Sequence, residues 1–179
     1  MNAQLIELRE RLGLNARRAE ALVAKAGDSR LAARPAPDSW SAAECLVHLT
    51  LSTKMFLPAW RKALAEARSK EILGDGPFKM DLIGKMMNWV LEPPPRLRSK
   101  APPSLLPVAS DQTLPEFLAS QDRVLRIVAE SAGVALDQIK VPSPADSRVR
   151  YNVWSSFRVM ETHQRRHLWQ AERAIALPG

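Results

Sequence analysis

At 179 residues, nearly half apolar and a quarter charged, the chain is long enough for one domain with a sizeable core and has an ordinary globular composition. It has no run of about eighteen uncharged apolar residues, which excludes a membrane span, and its one cysteine, Cys45, excludes an internal disulfide and fits a reducing cytoplasm. The net charge of +7 calls for an anionic partner to be weighed, but the basic residues are dispersed (Arg17 and Arg18, Lys62 and Arg68, Arg165 and Arg166), without a Lys/Arg block or interleaved aromatics.

Solvated helix faces therefore account for most of that charge. A small anionic molecule is the expected partner, and nucleic acid is not. The opening run MNAQLIELRERLGL carries charge and lacks the apolar core of a signal peptide. A cytoplasmic protein with no membrane contact is the expectation.

The first predicted helix covers about residues 2 to 27, where Leu5, Leu8, Leu12, Ala19, Leu22 and Ala26 recur at threes and fours. Gly27-Asp28 is its expected stop, and the prolines of RPAPDSW prevent continuation. The second helix has a full start signal. Ser41 is an N-cap with Glu44 three residues on, a capping box, and Trp40 precedes it as a hydrophobic staple on Cys45. It runs to about residue 69, with Cys45, Leu49, Phe56, Trp60 and Ala63 in one stripe and His48 on the edge of that stripe. Pro58 lies within it as a candidate kink.

Residues 70 to 110 are the least regular. Phe78, Leu82, Met86 and Val90 predict a short helix, and EPPPRLRSKAPPSLLP predicts an extended crossover. The third long helix starts at Thr113, the expected N-cap, with Pro115 and Glu116 in its first turn, and ends at Gly133. A loop follows that can include a short extended piece. The fourth long helix spans Asn152 to Ile175. No alternating strand pattern and no repeat is present. The fold class is all-α, an antiparallel four-helix bundle with long crossover loops, as a single domain over 1–179.

The chemistry concentrates on three histidines, the only ones in the chain. His163 and His167 are four apart and share a face of the last helix, while His48 borders the apolar stripe of the second. Inward-facing side chains from two bundle helices commonly build metal sites, and three imidazoles leave a position for water or substrate. Each histidine also has a plainer reading, as a satisfied core or surface residue. Glu44 sits one turn before His48 and is a candidate general base or fourth ligand, although the capping box explains it without function. HQRRH places Gln164 where the H-E-x-x-H peptidase motif requires its catalytic Glu, so such a peptidase is not expected.

The residues also carry a family resemblance. DSWSAAECLVHL resembles the W-S-x-x-E-x-x-x-H-L signature of DinB-like (YfiT-type) proteins, and HQRRHLWQAER is similar to their closing H-x-x-R-H-x-x-Q segment. The two segments lie in the second and last helices, as that family places them. Residues 70–110 match nothing.

The resemblance implies a four-helix bundle with a divalent metal, nickel or zinc, on His48, His163 and His167. Relatives include thiol-dependent enzymes, among them a mycothiol-dependent maleylpyruvate isomerase and bacillithiol or related thiol S-transferases, and others assigned as metal-dependent hydrolases. Homodimers are frequent. A low-molecular-weight thiol is thus an implied cofactor, with Arg166 beside the ligands as a contact for its anionic groups. A non-catalytic, stress-related helical binding protein, with the metal structural or absent, is the alternative.

Overall fold

The computed structural model describes residues 1–94, 96, 101–110, 112–144 and 146–176. Part of the proline-dense crossover, residues 95 and 97–100, lies outside the described residues. Four long helices form the body: α1 (Ala3–Ala32), α2 (Ala42–Ser69), α4 (Thr113–Glu130) and α5 (Val153–Ala176). A short α3 (Leu82–Leu91) lies on α5, and a 3-10 turn, Pro103–Leu105, touches α2. A two-stranded antiparallel ribbon, β1 (Lys140–Pro142) and β2 (Arg150–Asn152), pairs Val141 with Tyr151 before α5 begins. Among the described residues no helix is long and apolar enough to cross a membrane.

Helices α4 and α5 each pack against both α1 and α2. Cross-helix bonds fix the directions. Trp60 bonds Ser156 and His48 meets His163, so α2 and α5 are antiparallel. Lys54 meets Glu116 and Arg68 meets the Glu130 carbonyl, so α2 and α4 run the same way. Only a long connection can join two parallel neighbours, which is the role of residues 70–112.

The main core gathers Leu5, Leu8 and Leu12 of α1, Phe56 and Trp60 of α2, Val124 and Val128 of α4, and Phe157 and Met160 of α5. Trp60 is fully enclosed: it stacks on Phe56 at 4.8 Å, meets Phe157 edge-on at 5.0 Å, and donates its indole N–H to Ser156 Oγ at 2.7 Å. Smaller clusters continue toward the far end of the bundle, through Leu46, Leu49, Phe117 and Leu168, then Leu22, Cys45 and Ala171.

A buried polar group ties three helices. Gln121 and Gln164 exchange both amide bonds, at 2.9 and 2.7 Å, and Asn15 Nδ2 donates to Gln164 Oε1 at 3.2 Å.

The predicted boundaries shift in three places. Gly27 does leave helical geometry, with φ of +68°, but the helix resumes and ends at Ala32. A glycine tolerates that φ, so the result is a bend and not a stop. Thr113 is the first helical residue and not the cap, because its hydroxyl closes a turn with Ser110, accepting from the Ser110 amide at 3.1 Å and donating to the Ser110 carbonyl at 2.7 Å. Phe78 lies before α3, which is started by Asp81: its Oδ1 accepts from Gly84 N at 2.8 Å. The other Asp81 oxygen accepts from Asn152 N at 2.7 Å, joining the start of α3 to the start of α5. α2 continues as one helix through Pro58.

Candidate metal centre

The capping box at the start of α2 sets the position of His48. Glu44 N donates to Ser41 Oγ at 3.1 Å, and Ser41 N donates to Glu44 Oε2 at 2.8 Å. His48 then falls one turn on, 4% exposed and facing α5. On α5, His163 and His167 are one turn apart and face α2. The three side chains each offer one ligand nitrogen, and those atoms all lie within 4.8 Å of one another. His48 Nε2 and His163 Nε2 are 3.2 Å apart.

Two of the rings are held from behind. His48 Nδ1 is 2.9 Å from the Leu105 carbonyl oxygen in the 3-10 turn. A carbonyl only accepts, so this nitrogen carries the proton and the Nε2 lone pair faces His163. His167 Nδ1 lies 3.1 Å from Gln170 Oε1. The Trp40 indole closes one side, with its ring 4.8 Å from the His48 ring and 5.7 Å from the His167 ring.

Burial dominates the electrostatics. It pushes His163 down to about 3, helped by His48 and Arg166, and carries His167 well below the ordinary imidazole range. His48 is also lowered by burial, against the opposing effect of the Leu105 carbonyl. The three imidazoles are therefore neutral at pH 7, the form that binds a metal. Nitrogens arranged tetrahedrally on zinc stand roughly 3.4 Å apart, close to the 3.2 Å between His48 and His163. The donor set fits a divalent ion of the zinc or nickel kind.

The other expected site residues are placed as follows. The Glu44 carboxylate is taken up by the capping box and by Arg34, whose Nε donates at 2.8 Å. Burial pushes the Glu44 carboxyl up, but the Arg34 and Ser41 bonds outweigh it and hold the group below its usual value. Arg166 Nη1 donates to the Val90 carbonyl at 3.0 Å, and its charge bears on both His163 and His167, so its cation stands beside the cluster. Its neighbour Arg165 turns to α3, with Nη2 2.9 Å from Glu92 Oε2. Cys45 is fully buried in the apolar cluster with Leu22 and Ala171. Gln164, in the middle of HQRRH, points into the Gln121 and Asn15 network.

Three groups around the rings escaped the sequence reading. Trp40 was expected as a staple on Cys45 and packs against the apolar cluster that contains it, but it also covers two imidazoles. Gln170 stands at the last position of the H-x-x-R-H-x-x-Q segment, which is the signal that marks it. The Leu105 carbonyl is a backbone group and has no sequence signal.

No curated protein and no solved structure matches the chain. The family model of the DinB superfamily matches residues 11–171, a span that contains α1 to α5 in whole or part and all three histidines. With the bundle, the histidine cluster and this match agreeing, the chain belongs to the DinB superfamily.

Proposed function

We propose that this protein is a metal-dependent enzyme that binds nickel or zinc through His48, His163 and His167 and acts on a small anionic molecule, as a thiol-dependent S-transferase or a metal-water hydrolase. The observation that carries the reading is the convergence of three imidazoles from two helices, with ligand atoms within 4.8 Å. Three protein ligands would leave an open coordination position, where a divalent ion would supply a lowered pKa for a bound thiol or water near neutral pH. The chain's own residues hold and shape the site. The Leu105 carbonyl orients His48, Trp40 excludes water from one side, and the Arg166 cation favours an anionic group next to the histidines. The bonds of Glu44 to Ser41 and Arg34 favour a structural task for it over proton transfer.

The test is metal content of the purified, untagged protein by mass spectrometry, beside His48→Ala and His163→Ala. About one metal per chain, lost in both variants, is expected, followed by turnover in a screen of thiol acceptors with and without added thiol. Turnover without thiol selects the hydrolase. A protein that takes up neither nickel nor zinc when folded refutes the enzyme reading and leaves a helical binding protein.

A further inference from the structure

Of the two groups that hold a ring of the cluster from behind, the one at the third position after His167 is a side chain and not backbone. Gln170 is partly exposed, lies on α5, and directs its side-chain amide at the imidazole: Oε1 is 3.1 Å from His167 Nδ1. The arrangement parallels that at His48, where the Leu105 carbonyl is 2.9 Å from Nδ1. A neutral imidazole has one donor and one acceptor nitrogen, so a partner that accepts at Nδ1 fixes the lone pair on Nε2. At His48 that partner is backbone and cannot be anything but an acceptor. At His167 it is an amide, which accepts only if its oxygen faces the ring.

We propose that Gln170 is a positioning residue of the histidine cluster: its Oε1 accepts from His167 Nδ1–H, selecting the tautomer that turns the Nε2 lone pair toward His48 and His163. The inference rests on the metal-binding reading for its consequence, but the hydrogen bond and the tautomer belong to the protein without metal. Partners of this kind orient metal-bound imidazoles and raise their basicity, and losing one lowers metal affinity by roughly 10- to 100-fold.

The experiment uses the metal-free 179-residue chain labelled with 15N, in which three histidines give a spectrum simple enough to assign. Long-range 1H–15N correlation reads which ring nitrogen of His167 carries the proton. In the wild type Nδ1 is expected to carry it. In Gln170→Leu, which has no polar atom to offer, the preference is expected to be lost, and affinity for zinc, by competition with a chelating dye, to fall by roughly 10- to 100-fold. Gln170→Glu has only acceptor oxygens, so it is expected to restore both the tautomer and the affinity.

A wild-type His167 protonated on Nε2, or a tautomer unchanged in Gln170→Leu, overturns the proposal. So does loss of the Nδ1–H form in Gln170→Glu, since it would mean that an acceptor at position 170 does not set the tautomer. If the tautomers behave as expected and the wild type takes up no zinc or nickel, the metal reading fails while the Gln170 assignment stands.

Discussion

Replacing Gln121 with leucine separates the two possible meanings of Gln164, the residue between the histidines of HQRRH. Both glutamines are essentially inaccessible, at 1% and 0% exposure, and they exchange bonds of 2.9 and 2.7 Å. Gln121→Leu keeps the apolar volume but takes away the acceptor of Gln164 Nε2, while Gln164 Oε1 keeps Asn15 as a donor at 3.2 Å. One buried N–H is stranded, which costs about 1–3 kcal/mol. Gln164→Leu strands the Gln121 amide to a similar degree, while Asn15 retains a weaker bond to the Glu161 carbonyl at 3.4 Å. In the double variant no amide is stranded, so its loss is expected to fall short of the sum of the singles by about 1–2 kcal/mol. Urea denaturation followed by circular dichroism measures all four proteins, and the metal stoichiometry of Gln121→Leu is expected to match the wild type. Losses that add to within about 0.5 kcal/mol, or a Gln121→Leu chain as stable as the wild type, refute the network. By the same geometry Gln164→Glu creates no peptidase, because position 164 faces α1 and α4 and not the histidine cluster.

Gly84 lies where α3 meets α5, and a Cβ there would stand 2.2 Å from Ser155 Cβ. Gly84→Ala is expected to be destabilising: overpacking of about 1–3 kcal/mol exceeds the gain in helix propensity of about 1 kcal/mol, and a higher melting temperature in a thermal scan would contradict this. Cys45 is fully buried, and burial pushes its thiol far up, so the native protein is expected to leave an aromatic disulfide reagent unreacted until denatured; rapid native labelling would show the α1–α2–α5 cluster to be open. The hydrogen bond from Arg165 outweighs burial and holds the Glu92 carboxyl below its ordinary value of 4.5. Because the folded value is the lower one, the stabilisation is present above 4.5 and fades as pH falls through the folded value. Glu92→Gln is therefore expected to lose about 0.5–1 kcal/mol near neutrality and to converge on the wild type in acid, and a gap that widens in acid would reverse the assignment.

The long helices were legible because their apolar residues repeat at threes and fours and because Ser41 and Glu44 spell a capping box. The histidines were legible as a set for a related reason: i,i+4 spacing fixes a shared face once the element is a helix, and His48 borders a stripe that must turn inward. The stop at Gly27 was misread because a flexible residue permits a bend as readily as an ending, and sequence pattern does not distinguish them. The parallel course of α2 and α4 was not legible at all, since helix direction depends on how the irregular residues between them travel. The same limit hid Leu105, whose contribution is a carbonyl that every residue possesses. Glu44 looked available beside His48 because its bidentate partner, Arg34, sits ten residues earlier in a proline-rich connection without periodicity.

The direction of the helices also governs when the site can exist. His48 and His163 are 115 residues apart, and no hairpin of sequential helices brings them together. The imidazoles meet only after α3, the crossover and α4 have been laid down and α5 has returned antiparallel to α2. Any form with α5 undocked therefore separates His48 from His163 and His167 and leaves the rings free to take up a proton in water. Proximity of these rings thus reports on the whole topology and not on a local segment: a short-range probe between residues 48 and 163 would register the last long-range closure of the fold, and a nascent chain would carry no assembled cluster until its C-terminal helix had docked.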